Sequence, residues 1–263
     1  MHKYLHILRL GWLDALEYRT EFFVSVLGWG VRLFIALYLW FAVAEARGGQ
    51  IGAYSFRTIL SYFFIVQIIS SFTFSRVGFE IAYDIYRGDF ANFMLKPLRY
   101  IPFRLVHEMS KNAFRTGIAL LLFGTILMFE LGGISFPIWK IPLVLIAIIA
   151  SYFLNSFIVV TIALTAFWIT NSTRLTFIYF GILTIFSGMI IPIDLFPPKL
   201  FAIFQYLPFP YIFFFPAKLI QSNELTPFLK SGFIIEWSFI AVLTAILWLT
   251  YRRGVRHFEA VGR

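Results

Sequence analysis

Residues 141–169 read IPLVLIAIIASYFLNSFIVVTIALTAFWI, a run of 29 without one Asp, Glu, Lys, Arg or His. About 20 such residues in a helix cross roughly 30 Å of hydrocarbon, whereas a soluble core helix seldom stays apolar all round for so long. Lipid is therefore the surrounding this segment suits. Working outward from Ile141–Ile169, five more apolar stretches fill the chain: Phe22–Val43, Thr58–Ser75, Ala113–Leu131, Thr176–Leu195 and Phe233–Tyr251. The expectation is an all-α membrane protein of six transmembrane helices, forming a single transmembrane domain over residues 1–263.

Composition agrees. Hydrophobic residues make up 60% and charged residues 13%, against about 25% charged in an average soluble domain. The intervening segments are too short to house an enzyme domain. Cysteine is absent, which excludes disulfides, thiolate metal sites and cysteine nucleophiles. No GxxxxGK-type loop occurs in the 263 residues, so the chain cannot hydrolyse nucleotide in the usual P-loop way.

The net charge of +9 reads as a topology signal and not as a nucleic-acid surface, because of where the cations lie. With six spans both termini share one side. Fifteen Lys and Arg then fall on that side and six on the other, which puts both ends in the cytosol and the chain, multi-pass, in the cytoplasmic membrane. Met1–Glu21 does not read as a cleavable signal, since Lys3, Arg9, Asp14 and Glu17 interrupt its apolar residues. Tyr4, Leu5, Ile7, Leu8, Trp12, Ala15 and Leu16 share one arc of a helical wheel, so residues 1–21 are expected to form an amphipathic helix lying along the membrane surface. His2 and His6 have an i, i+4 spacing but no third ligand, and no metal site is expected.

Ser187–Pro216 reads SGMIIPIDLFPPKLFAIFQYLPFPYIFFFP. It is apolar enough for membrane depth, yet Pro192, Pro197, Pro198, Pro208, Pro210 and Pro216 forbid one straight helix. Non-helical backbone at that depth must be shielded by protein or meet water. Short broken helices that dip in from the outer face and return, a re-entrant segment over residues 188–216, are expected; the alternative is a greasy loop lying flat.

The only sizeable charged block between the first and last spans is residues 76–112, beginning RVGFEIAYDIYRGDFANFMLKPLRYIPFRLVHEMSK. Glu80, Asp84 and Arg87 repeat at helical spacing. Gly88 reads as a stop and Asp89 as a cap for a helix over Phe90–Leu95, and Lys96-Pro97 forces an extended turn. Two short helices with a sharp bend follow, carrying Phe90, Phe93, Met94 and Leu95. Large apolar side chains beside charges suit a partner's groove; packing on the chain's own helices is the other reading.

GDFANFMLKPLRYIPFRL, the proline-broken stretch and the closing YRRGVRHFEAVGR together resemble the membrane subunits of bacterial type-2 ATP-binding-cassette (ABC-2) exporters, in the six-span subgroup without a fused ATPase. The likeness covers nearly the whole chain in span order. It implies a coupling helix between spans two and three, at Gly88, Asp89, Phe90, Leu95, Lys96 and Pro97, gripped by a separate ATPase. It also implies re-entrant outer helices with Gly188, Pro192, Pro197 and Pro208 in the matching turns. Implied partners are two ABC ATPase subunits, which would hold the ATP and Mg²⁺, a second permease, related or identical, and membrane lipid. No cofactor is implied for this chain, nor any catalytic residue.

Three polar residues inside spans are candidates for a translocation path. Arg32 lies near the centre of the first span, where a charge costs roughly 2.5–3.5 kcal/mol; it either faces a watery path or is paired structurally. Gln67 and Asn155 either line the path or bond helix to helix. Thr161, Thr165, Thr184 and Ser187 are expected to return their hydroxyls to the backbone. The competing functions are an ion-coupled carrier or channel and, further off, a membrane-embedded lipid enzyme. A carrier calls for an intramembrane acid, while Glu130 and Glu236 are expected near the outer boundary; an enzyme calls for clustered acids or histidines, and the sequence scatters them.

Overall fold

The computed structural model describes residues 2–17, 19–46, 48–52, 54–129, 137–169, 172–222 and 224–258. Among them the chain forms helices α1 (His2–Glu17), α2 (Arg19–Ala46), α3 (Phe56–Thr73), α4 (Val77–Arg87), α5 (Asp89–Met94) and α6 (Tyr100–Ala119). Then come α7 (Thr125–Phe129), α8 (Ile141–Leu164), α9 (Ser172–Phe186), α10 (Pro198–Phe204), α11 (Phe214–Gln221) and α12 (Pro227–His257). A π-helical turn, Leu120–Gly124, joins α6 to α7, and the Thr125 hydroxyl donates to the Leu121 and Leu122 carbonyls there. The all-helical expectation is amended only by β1 (Gln50–Ile51) and β2 (Tyr54–Ser55), an antiparallel pair that turns the chain into α3.

Among the described residues, three stretches are long and apolar enough to cross a membrane: Phe56–Arg87, Ile138–Phe167 and Pro227–His257. Leu33–Ala46 and Ser172–Phe186 are shorter apolar helices. The expected third span, Ala113–Leu131, is divided among α6, the π turn and α7, with Glu130 and Leu131 outside the described residues. The expected fifth span, Thr176–Leu195, ends early at Phe186. Gly188 follows at φ +84°, a backbone state that stops a helix, and a side chain there would collide with the Tyr62 hydroxyl and Phe214 Cβ, at 2.6 and 2.8 Å.

Contacts between helices sort into two ends. At one, Asp14 meets His107, Phe90 packs on Phe167 and Phe258, and the Tyr152 hydroxyl donates to the Leu105 carbonyl. At the other, Tyr54 and Lys218 meet Asp194, Gln221 donates to the Thr58 carbonyl, and the Lys140 ammonium donates to the Ser222 carbonyl. Within the Phe56–Arg87 window 67% is buried by the rest of the chain, against 17% for α12. So α3 is the centre of the bundle, and α12 is an outer wall with Ile234, Trp237 and Val242 exposed. Through α1, Ile7 is buried while Leu5, Trp12 and Leu16 are exposed, leaving an apolar face for a membrane surface.

Candidate functional site

Between α3 and α4 the chain breaks at Phe74-Ser75-Arg76. Each helix end there leaves backbone groups that its own ladder cannot serve, and side chains from α6 and α8 take them up. Asn112 Nδ2 donates to the Phe72 and Phe74 carbonyls at 2.9 and 3.2 Å, and Asn155 Nδ2 donates to the Thr73 carbonyl at 2.8 Å. On the α4 side Glu108 Oε1 accepts from the Arg76 and Val77 N–H groups at 2.5 and 2.8 Å. Its Oε2 accepts from the Ser75 hydroxyl at 2.6 Å and lies 3.3 Å from the Tyr152 hydroxyl. Glu108, Asn112 and Asn155 are all buried, so three side chains from two other helices hold this bend. The Ser75 hydroxyl and the Arg76 and Val77 N–H groups offset the cost of burying this carboxyl.

A polar strap reinforces the same end. Arg104 bonds Glu80 at 3.0 Å and also Asp84, the Tyr100 hydroxyl donates to Asp84, and Lys111 reaches Glu80 at 3.4 Å. His107 Nε2 lies 2.9 Å from Asp14. This hydrogen bond links α1 to α6. Gly78 permits a close approach: a Cβ there would lie 2.4 Å from Val159 Cγ1, and α4 packs directly on α8.

Past α4, Gly88 takes φ +81° as the expected stop. Asp89 is not the cap that the sequence suggested; it is the first residue of α5, with Gly88 in the cap position and no side-chain cap bond. An acid in the first turn still suits the helix dipole. Phe90 is 0% exposed. It stacks edge-on against Tyr100, Phe167 and Phe258 at centroid distances of 4.9, 5.4 and 5.2 Å. Phe93 packs on Tyr100 and Phe103. Both side chains are thus committed to the chain's own core, whereas Met94 and Leu95 are 52% and 87% exposed. The Lys96 N–H closes on the Phe93 carbonyl, its ammonium lies 5.2 Å from the Phe93 ring, and Pro97 leads into α6. A groove of about 540 Å³ beside this elbow is lined by Ile85, Tyr86, Phe167, Trp168 and His257, among others.

The other candidates lie apart from the elbow. Asn155 belongs to the clamp just described, and its Oδ1 accepts from the Tyr179 hydroxyl at 2.6 Å, so every hydrogen bond found for it runs helix to helix. Gln67 is buried on α3 with no partner for Nε2. The Arg32 side chain lies outside the described residues. Thr161, Thr165 and Thr184 bond their own helices as expected, but Ser187 Oγ has no partner. Glu236, expected near an outer boundary, is fully enclosed beside Ser151 of α8. Among the described residues no three His, Asp or Glu cluster as a metal set.

Along the broken stretch Gly188 offers its carbonyl to the Tyr62 hydroxyl at 2.7 Å. Pro192 precedes a 3₁₀ turn whose Asp194 binds Tyr54 and Lys218 at 2.8 and 2.9 Å. Pro197 caps α10, and Pro208 precedes a second 3₁₀ turn, Phe209–Tyr211. The Tyr211 carbonyl accepts from the Ser151 hydroxyl at 2.8 Å, ten positions into α8. Next, α11 carries the chain back until Ser222 meets Lys140 at the head of α8.

A family model described as an ABC-2 family transporter protein matches residues 31–262, a span that includes the α3–α4 clamp, the elbow and the proline-broken stretch. No curated protein matches the chain at significance.

Proposed function

The chain belongs to the ABC-2 family of transporter proteins, and from that premise we propose that it is the membrane subunit of an ATP-driven exporter, worked by separate ATPase subunits docked on Gly88–Pro97. In this reading α2, α3, α6 with α7, α8, α9 and α12 are the six spans. Both termini and the elbow face the cytosol, in the cytoplasmic membrane. Support for the alternating path comes from the sorting of contacts into two ends. The stretch 188–216 is re-entrant: a residue ten positions into α8 lies about 15 Å along its axis, and the Ser151–Tyr211 bond brings the chain to that level. A second permease, related or identical, completes the path, with Gln67 and Arg32 as its polar candidates. ATP and Mg²⁺ reside on the partner ATPase.

One observation carries the reading. The elbow offers an apolar tip, Met94 and Leu95, on a root locked by Phe90 into the ends of α8 and α12. Force on an exposed tip with a buried root moves the root. ATPase closure would push Leu95, and Phe90 would pass the displacement to Phe167 and Phe258, while α4 transmits it through Glu108 to α6 and α8. Reconstitution with the ATPase encoded beside this gene tests the proposal. The expected result is a stable complex whose ATP hydrolysis is stimulated by the permease and uncoupled by Leu95→Asp. No complex with any neighbouring ATPase, or labelling that puts Leu95 outside the cell, would overturn it.

A further inference from the structure

Glu236 lies on α12 with no exposed surface, and its surroundings contain too few hydrogens for a carboxylate. Its Oε1 is 3.0 Å from Ser151 Oγ, and Oε2 has no partner. Ser151 Oγ also lies 2.8 Å from the Ala147 carbonyl and 2.8 Å from the Tyr211 carbonyl. Carbonyl oxygens only accept, and a serine hydroxyl brings one hydrogen. An ionised Glu236 would surround that single hydrogen with three acceptors and leave a buried anion without a full set of donors, which is the costliest way to bury a carboxyl.

We infer that Glu236 is a proton-binding site: its carboxyl holds a proton at neutral pH and donates it to Ser151 Oγ, which donates onward to the Tyr211 carbonyl. The Ala147 carbonyl needs no hydrogen from Ser151, being the i−4 acceptor of the α8 ladder. Oε2 remains as an unpaired neutral carbonyl oxygen, a far smaller penalty than an unpaired charge. The proton thus closes a chain, Glu236 to Ser151 to Tyr211, that pins the Phe209–Tyr211 turn between α8 and α12. Among the described residues no cation is paired with Glu236, and Lys140 at the head of α8 donates to the Ser222 carbonyl. From α8 comes no charged residue over Ile141–Leu164, α11 brings Lys218, which is bound to Asp194, and Tyr211 turns its hydroxyl to the Gln205 carbonyl. On α12 the preceding charge, Lys230, lies nearly two turns away.

The inference does not rest on the exporter reading and is tested without a partner. Infrared spectra of the full chain in lipid at pH 7.5 are expected to contain a protonated-carboxyl C=O stretch that Glu236→Gln removes and Ser151→Ala shifts to higher frequency. Thermal midpoints should follow, with Glu236→Gln within about 2 °C of the parent and Glu236→Ala clearly lower. A parent-minus-Glu236→Gln difference showing carboxylate bands instead would overturn the inference. So would a sodium-dependent midpoint that Glu236→Gln abolishes. If Glu236→Gln does not fold, the Ser151→Ala frequency shift decides alone: an unmoved band overturns it.

Discussion

Glu108 and Glu236 are both buried acids in a molecule dominated by apolar side chains, and their surroundings are opposite. Around Glu108 stand three donors, two backbone N–H groups and the Ser75 hydroxyl, while the Tyr152 hydroxyl, 3.3 Å away, gives its hydrogen to the Leu105 carbonyl at 2.7 Å. Around Glu236 there is one hydroxyl, already claimed by carbonyls. The first arrangement invites a negative charge, and the second repels it. Burial alone does not fix the state of a carboxyl; the count of hydrogens facing it does. The Glu108 clamp is therefore a place where charge can change, and the Glu236 pocket is not.

The largest test sits at the elbow. Phe90→Ala removes a ring enclosed by Tyr100, Phe167 and Phe258 and should cost about 3–5 kcal/mol, read as a lowered unfolding midpoint in lipid. Leu95→Ala, five residues on, should change stability by less than about 0.5 kcal/mol while weakening ATPase stimulation. Equal stability losses would erase the distinction between root and tip. Next, Glu108→Ala orphans the Arg76 and Val77 N–H groups and should cost about 2–4 kcal/mol, seen as faster hydrogen exchange at the start of α4.

Gly88→Ala should cost less than Glu108→Ala: no neighbour lies within 4 Å of an added Cβ, so the loss is the left-handed backbone penalty alone, about 1–2 kcal/mol.

Much of this plan is legible in the residue order. Hydropathy shows α8 and α12, Gly88 marks the bend, and six prolines mark the broken stretch. Span five was read too long because Thr176–Leu195 is apolar throughout, and the stop at Gly188 is a backbone state that hydropathy does not register. Glu108 was missed for a different reason: in a charged loop it looks like any solvated acid, and its partners lie some 32 residues back, across a helix break. Asn155 was visible as a polar residue in a span, but its target, the last carbonyls of α3, exists only once the fold brings α3 and α8 together. Glu236 was placed by its distance from a span end, whereas its burial is set by α8 and the Tyr211 turn.

The π-helical turn at Leu120–Gly124 lies between α6, which carries the Glu108 clamp, and α7. A π turn spends an extra residue on one revolution, and Thr125 spreads its hydroxyl over two of the loosened carbonyls. Residues beyond it are therefore offset around the axis from where an unbroken α-helix would set them, so the face that α6 turns to the clamp is not the one that α7 continues.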